Sequence, residues 1–518
     1  MDTNYSQPRI NPWLIAVSVM LATFMEVLDT SIANVSLGHI AGSLSASNEE
    51  ATWVLTSYLI SNAIVIPTTA WLGQRFGRKR FLMTCLVIFT ASSLFCGLAT
   101  TLPMLLLMRV IQGAGGGALQ PIAQTILMES FPKEKQGQAM GVYGLGVVVA
   151  PVIGPVLGGW ITDNYDWRWI FYINVPVGLL ALWLIQRFVH DPHWIRNSRV
   201  VRFDAIGLAF MSVWLGCQEV VLDKGQEDDW FGSRFISIMT VMAVVGLAIF
   251  LVREFTTKEP LVNLRVLRDR NFAIGVLLIS FAGVTLYGLT AILPLFLQSL
   301  MGYTAYQSGL TMIPRGLGAL VAMPLAGQLV GKVQAKYLAS GGFLVFGISA
   351  VVLAHTTLDV SPWILFWPLF LSGVSIGFMF VPLNALALGA LRPEQIGNAS
   401  GIFNLMRNVG GSVGIALVAT LVARSAQSHQ ANLVTHMTPY DPAYQSRLHA
   451  LEGAFAAHGD TVLAHQQALG SVYGTLVQQS TLLAYLDNFR WFALLCFLCI
   501  GITLLLKNVR ARGPVSVH

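Results

Sequence analysis

Fourteen separate apolar stretches run through this chain, and that repetition constrains its fold more than any other feature. They lie near residues 13–37, 52–72, 82–99, 103–127, 138–161, 169–189, 204–222, 235–252, 272–297, 306–330, 337–355, 362–388, 400–423 and 489–506. About 20 helical residues, at about 1.5 Å each, cross the ~30 Å hydrocarbon core of a bilayer while satisfying every backbone hydrogen bond internally. Charged residues make up only 11% of the chain, against about 25% in soluble proteins, so most of the surface must meet lipid. These features exclude a water-soluble enzyme and predict an all-α integral membrane protein. The net charge of +6 does not imply nucleic acid, because the basic residues are scattered between apolar runs rather than gathered on one face. Cys85, Cys96, Cys217, Cys496 and Cys499 all lie in apolar runs and read as small buried hydrophobes, with no disulfide framework. The first stretch carries Glu26 and Asp29 and lacks a small-residue cleavage site, so it is expected to remain as a membrane span.

An even number of spans puts both termini on one side. With the N-terminus inside, 22 of the 31 Lys and Arg fall in inside loops and termini, six in outside loops and three within spans. Positive charge accumulates on the cytoplasmic side, so both termini are expected there. The longest polar stretch, 424–487, is then outside. Its histidines, His429, His436, His449, His458 and His465, are irregularly spaced and read as solvated surface rather than a metal site. Leu448, Leu451 and Phe455 within it have the spacing of an amphipathic helix suited to a partner or the membrane surface. Two internal echoes, GQAMG at 137–141 with GNASG at 397–401 and GQRFGRK from Gly73 with GQLVGK from Gly327, predict a duplicated six-helix unit. The expected organisation is a six-helix bundle over 1–202, two linking spans over 203–271, and a second bundle over 272–518 that includes the outside loop.

Six ionisable side chains interrupt the spans: Glu26, Asp29, Arg109, Glu219, Arg315 and Arg407. Each costs roughly 2.5–3.5 kcal/mol to insert, which makes each a candidate for function. Glu26 and Asp29, three residues apart, share a helix face, and at least one is expected to hold a proton near neutral pH. The alternative is that they pair with an arginine such as Arg109. Glu26, Asp29, Asn34, Arg315 and Arg407 are the expected lining of a cavity between the bundles. The loop GQRFGRKR offers Gly73 and Gly77 for a tight turn and Arg75, Arg78 and Lys79 as cytoplasmic cations. No metal ligand set, cofactor motif or phosphate loop is present in the sequence pattern.

These motifs together resemble the major facilitator superfamily. The loop is similar to the family's signature between its second and third helices, but Gln74 and Phe76 stand where the family often has Asp and Arg. RVIQGAGGGALQP from Arg109 is similar to the family's Arg-Gln-Gly motif associated with proton movement, and Gly154, Pro155, Gly158 and Gly159 match its antiporter pattern. LDTSIANVSL from Leu28 and DWRWIFYINVPVG from Asp166 resemble the fourteen-span drug:proton antiporters. The resemblance implies a major facilitator fold of two six-helix bundles plus two further spans, and a proton-coupled exporter of hydrophobic drugs or toxic small molecules in the inner membrane. It implies Asp29, Glu26, Arg109 and Glu219 in proton coupling and Arg75, Arg78 and Lys79 in a cytoplasmic gate. By the same resemblance the partners are drug substrates, protons, membrane lipid, an EmrA-type periplasmic adaptor and a TolC-type outer-membrane channel. Glu26 stands where an uncharged Gln is expected, leaving open a second proton site or a cation-binding group. A dedicated exporter of one metabolite, fatty acid or siderophore is the alternative function.

Overall fold

The computed structural model of this protein describes residues 11–132, 135–191, 204–257, 260–330, 332–389, 391–457 and 461–507. Among them are fourteen helices long and apolar enough to cross a membrane. In chain order these are α1 Pro12–Val35, α2 Glu50–Phe76, α3 Arg78–Gly97, α4 Leu102–Ser130, α5 Gln136–Asn164, α6 Trp169–Phe188, α7 Ala205–Lys224, α8 Arg234–Thr256, α9 Arg270–Leu300, α10 Tyr306–Leu329, α11 Ala335–Leu353, α12 Pro362–Leu388, α13 Gln395–Val434 and α14 Leu463–Leu504. Each expected span has its helix, and no strand occurs among the described residues. The expected domain boundary at 202–203, His458 and both chain ends lie outside them.

Lipid tails give helices no hydrophobic reason to associate, so close backbone approach must supply packing. Glycines provide it at three crossings. Gly113 and Gly117 of α4 meet the backbone carbonyls of Tyr58 and Asn62 on α2. Gly283 of α9 meets that of Arg407 on α13, and Gly373 of α12 meets that of Arg315 on α10. Through such contacts α1–α6 pack chiefly on one another, as do α9–α14. The largest contact between these halves is α5 on α10.

The echo segments occupy reciprocal places in that arrangement. Gly137 of the first echo lies against Gly327 of the second on α10, backbone to backbone. Gly397 and Gly401 in turn face Arg78 and the Ile66–Thr69 region of α2. Near the middle of this seam, Gln124 of α4 hydrogen-bonds Asn384 of α12 and accepts from Ser400 Oγ and Asn404 Nδ2 of α13, each at 2.7 Å. The halves are thus held together on the side carrying the Arg-rich α2–α3 turn, called the basic end below.

α7 and α8 pair with each other outside the bundles. The opposite end of α7 wedges between α2 and α13: Asp223 accepts from Thr56, Lys224 meets Thr52, and Ser412 Oγ donates to Glu219 Oε1 at 2.8 Å. α8 leaves Ile238, Val241, Val244, Val252 and Phe255 exposed, as a lipid-facing helix should.

The described residues of 424–487 are mostly helical. α13 runs 40 residues and α14 runs 42, about 60 Å each at ~1.5 Å per residue and twice the hydrocarbon core. Between them lies a short helix, Pro442–Ala456, started by Pro442 and by Asp441, whose side chain accepts from the Ala443 and Tyr444 amides. Its Leu448 is buried against Ala468 and Val472 of α14, with Leu451 and Phe455 packed alongside. The amphipathic spacing of Leu448, Leu451 and Phe455 is therefore spent on the hairpin itself. His429 of α13 meets Asp487 of α14 at 2.7 Å, and Arg490 meets the same carboxylate at 2.8 Å.

Candidate functional site

α1 carries the two acids that organise the site. Three residues of helix turn the chain by about 300°, leaving Glu26 and Asp29 roughly 60° apart in projection. That angle is enough to send them to different surroundings.

Asp29 is 2% exposed and does not line the cavity between the halves, which Glu26 does. Its Oδ2 accepts from Arg109 Nη1 at 2.6 Å, and its Oδ1 accepts from Gln112 Nε2 at 2.9 Å and Asn174 Nδ2 at 2.7 Å. Arg109, fully buried on α4, also donates through Nε to the Val54 carbonyl and through Nη1 to Gln112. Its guanidinium lies 4.3 Å from the Tyr58 ring centroid and 5.7 Å from that of Phe171. A buried charge pair persists only when its remaining hydrogen-bonding capacity is met. Amides from α4 and α6 and two aromatic faces meet most of it here.

Glu26 faces the cavity. Its Oε1 accepts from Asn62 Nδ2 at 3.2 Å and Tyr58 Oη at 3.3 Å, and its Oε2 from Gln120 Nε2 at 2.6 Å. Tyr58 therefore touches both systems, through its hydroxyl on Glu26 and its ring on Arg109. Gln120 passes the contact across the halves, since its carbonyl oxygen accepts from Arg407 Nη2.

The cavity has a volume of about 240 Å³, room for a small organic molecule, and lies between the halves on the side of the seam away from the basic end. Glu26, Asn34, Glu219 and Arg315 line it, with Tyr58 and Gln120 among the polar groups and Leu215, Val148 and Ile376 among the apolar ones. Few polar groups placed on a mostly apolar wall is the usual composition of a small-molecule site. Arg315 donates to Thr290 Oγ1 at 2.9 Å and to the Leu286 carbonyl at 3.1 Å, both neutral partners. Two expected lining residues are elsewhere. Asp29 is sequestered in the Arg109 network, and Arg407, 2% exposed, lies behind the wall against Gln120 and Asn408.

At the basic end, Gly77 has φ +84°, a conformation that favours glycine, and a Cβ there would collide with the Asp191 carboxylate. That carboxylate accepts from the Lys79 amide at 2.8 Å. Arg78 pairs with Glu129 of α4 beside Gly397, at the seam between the halves. Lys79 Nζ donates to the Gln186 carbonyl at 2.6 Å, whereas Arg75 is exposed over Phe76. On α5, Gly154 and Gly158 admit Ser31 and Ile32 of α1, while Gly159 meets no neighbour and Pro155 stands within the helix.

Sequence reasoning gave no individual role to Gln112, Gln120 and Asn174, although the motifs quoted above contain them, and it missed Tyr58 and Glu129. A search for ionisable groups in spans passes over amides and phenols, and Glu129 fell just beyond the expected span 103–127; the available signal was the recurrence of Gln, Asn and Tyr within apolar helices.

The major facilitator superfamily model matches residues 19–415. The chain belongs to this superfamily. It is therefore a multi-pass secondary transporter rather than an enzyme. It is 34% identical over 504 residues to the multidrug export protein EmrB of Escherichia coli (strain K12), covering 96% of each chain. It is 35% identical over 495 residues to the fatty acid resistance protein FarB of Neisseria gonorrhoeae, covering 95% of this chain and 96% of that one. Among solved structures, the proton:xylose symporter XylE shares the superfamily fold with a TM-score of 0.58 at 15% identity, over 93% of this chain and 94% of XylE.

Proposed function

We propose that this protein is a proton-coupled antiporter that exports hydrophobic drugs or toxic small molecules across the bacterial inner membrane, with both termini cytoplasmic. The observation that carries the reading is Asp29, an acid buried in the membrane and held by Arg109, Gln112 and Asn174 next to a mostly apolar cavity. Asp29 is the principal coupling acid, Arg109 its counter-charge, and Glu26 and Glu219 the cavity acids. A proton entering down ~100 mV supplies about 2.3 kcal/mol, so the cycle needs no nucleotide. The 1–202 and 272–518 bundles rock about the cavity, with Arg75, Arg78 and Lys79 near the cytoplasmic gate and the Gly154–Gly159 segment at a sliding interface. Similarity to EmrB supports drug export, and the protruding hairpin of α13 and α14 is the surface on which an EmrA-type adaptor, and through it a TolC-type channel, would dock.

A second reading is export of one metabolite, fatty acid or siderophore. Arg315, with only neutral hydrogen-bond partners in the cavity wall, favours it because an anionic headgroup would find an uncompensated cation there, as does similarity to FarB. Inverted vesicles with an imposed pH gradient test both readings. Broad, protonophore-sensitive accumulation of several drugs that Asp29→Asn abolishes supports the antiporter. Uptake of fatty acid alone supports the second reading, and uptake that ignores the gradient overturns proton coupling.

A further inference from the structure

Glu26, Gln120 and Arg407 form a chain from α1 through α4 to α13, and so from one half of the transporter to the other. Gln120 can satisfy both neighbours in only one amide orientation, because a carboxylate requires a donor and a guanidinium an acceptor. Its Nε2 donates to Glu26 Oε2 at 2.6 Å while its Oε1 receives Arg407 Nη2. All three side chains are buried, Glu26 at 4%, Gln120 at 7% and Arg407 at 2% exposure. Arg407 Nε has no hydrogen-bond partner; the guanidinium meets Gln120 and Asn408, with the Tyr143 and Tyr287 hydroxyls beside it. Charge at each end polarises the amide between them, and such chains are stronger than isolated bonds.

We propose that Gln120 is a positioning residue that makes Glu26 an inter-half latch: ionised Glu26 holds Arg407 through the amide, and a proton on Glu26 releases it. The contact tightens the seam made by Gln124 with Asn384, Ser400 and Asn404, which lies one turn further along α4. Protonation replaces a charge-assisted bond with a neutral one and removes the demand that fixes the amide. Other charged or titratable groups nearby are Tyr58 on α2, Tyr143 on α5 and Tyr287 on α9, with Arg109 and Asp29 behind Tyr58. Glu219 on α7 lines the same cavity. Gln120 hydrogen-bonds Glu26 and Arg407, whereas Asp29 is held by Arg109, Gln112 and Asn174, and Glu219 by Ser412. Removing the Gln120 amide therefore isolates the latch from both other acids.

The idea rests on the transporter reading only in requiring two arrangements of the halves, and its test needs no transport. Spin labels at His39→Cys, in the short helix Leu37–Ser43 that follows α1, and at Tyr306→Cys, the first residue of α10, are both exposed and away from the basic end, and they report the separation of the halves; the five native cysteines are buried. In the purified full chain, acidification should lower the ratio of latched to released populations roughly fivefold, the factor expected when a charge-assisted bond becomes neutral. Glu26→Gln should show the released distribution at all pH values. Gln120→Met, which keeps the volume, should match it and lose the pH response, and the double variant should add nothing further. A wild-type pH response that survives in Gln120→Met, or additive shifts in the double variant, would overturn the proposal. Glu26→Gln is near-isosteric, so agreement between it and Gln120→Met separates release of the latch from misfolding. If drug transport proved independent of protons while the labels still responded as stated, the antiporter reading would fail and the latch would stand.

Discussion

At the residue scale, what distinguishes Asp29 from Glu26 is the company each keeps after one helical turn. Asp29 is enclosed by a cation and two amides, and Glu26 by two amides and a phenol at the cavity wall. Removing one member of a buried pair strands the other, at a cost of about 3–5 kcal/mol. Arg109→Ala, which strands the carboxylate, and Asp29→Asn, which strands the buried guanidinium and turns one acceptor oxygen into a donor, are both expected to abolish transport and to lower thermal stability in detergent. Thermal unfolding followed by tryptophan fluorescence checks this, and an unchanged melting temperature in either variant would show that the pair is not charged in the folded protein. Gly77 is the other residue with a fixed requirement: Gly77→Ala should cost about 1–3 kcal/mol for a positive-φ backbone with ψ 143° that L side chains rarely adopt, with the Asp191 clash added. An unchanged melting temperature would show that the turn can adopt another path. All six ionisable residues singled out from the sequence prove to be buried, because insertion cost marks them whatever their neighbours. Gln112, Asn174 and Gln120 were not legible in the same way, since an amide in a span costs less and its meaning depends on which helix faces it.

At the element scale, apolar length alone located every span, and boundaries failed only where a helix continued beyond the membrane. The polar sequence after about residue 424 and before 487 looks like a connection because its composition is that of water-facing surface; a helical hairpin standing in water has the same composition. Leu448→Asp should unseat the Pro442–Ala456 helix by placing a charge against Ala468 and Val472, read as loss of amide protection confined to that helix. Glu452 on its exposed face accepts hydrogen bonds from His465 and His449, which hold its carboxyl below the usual 4.5. A depressed folded-state pKa contributes stability above the unfolded value and loses it as pH falls through the folded one. Protection of this helix, corrected for intrinsic exchange, should thus decline as pH falls below about 4.5, and Glu452→Gln should remove that decline. A decline that persists in Glu452→Gln would assign it to another group.

At the scale of the whole molecule, two halves meet along the basic end, a cavity lies beyond the seam, and a hairpin rises from the opposite end. The sequence echoes were read only as a duplicated unit; in the structure each echo packs where the other's partner lies, so the two weak similarities share one contact pattern at the seam. The cavity's lining was less legible, because whether a span residue faces the cavity or the opposite side depends on helix rotation, which spacing does not supply. Shortening the hairpin should leave transport into inverted vesicles intact while removing drug resistance in cells with an outer membrane, as expected of a docking surface. Loss of vesicle transport would instead assign the hairpin to the export path.

Drug is expected to leave as a proton enters through Asp29. The lumenal pH of proteoliposomes containing the full chain, followed with an entrapped dye when drug is supplied under a counter-gradient, measures this directly. A drug-dependent proton flux opposite in direction to the drug should be present in the wild type and absent in Asp29→Asn. Drug movement with no accompanying proton flux, or an undiminished flux in Asp29→Asn, would contradict it.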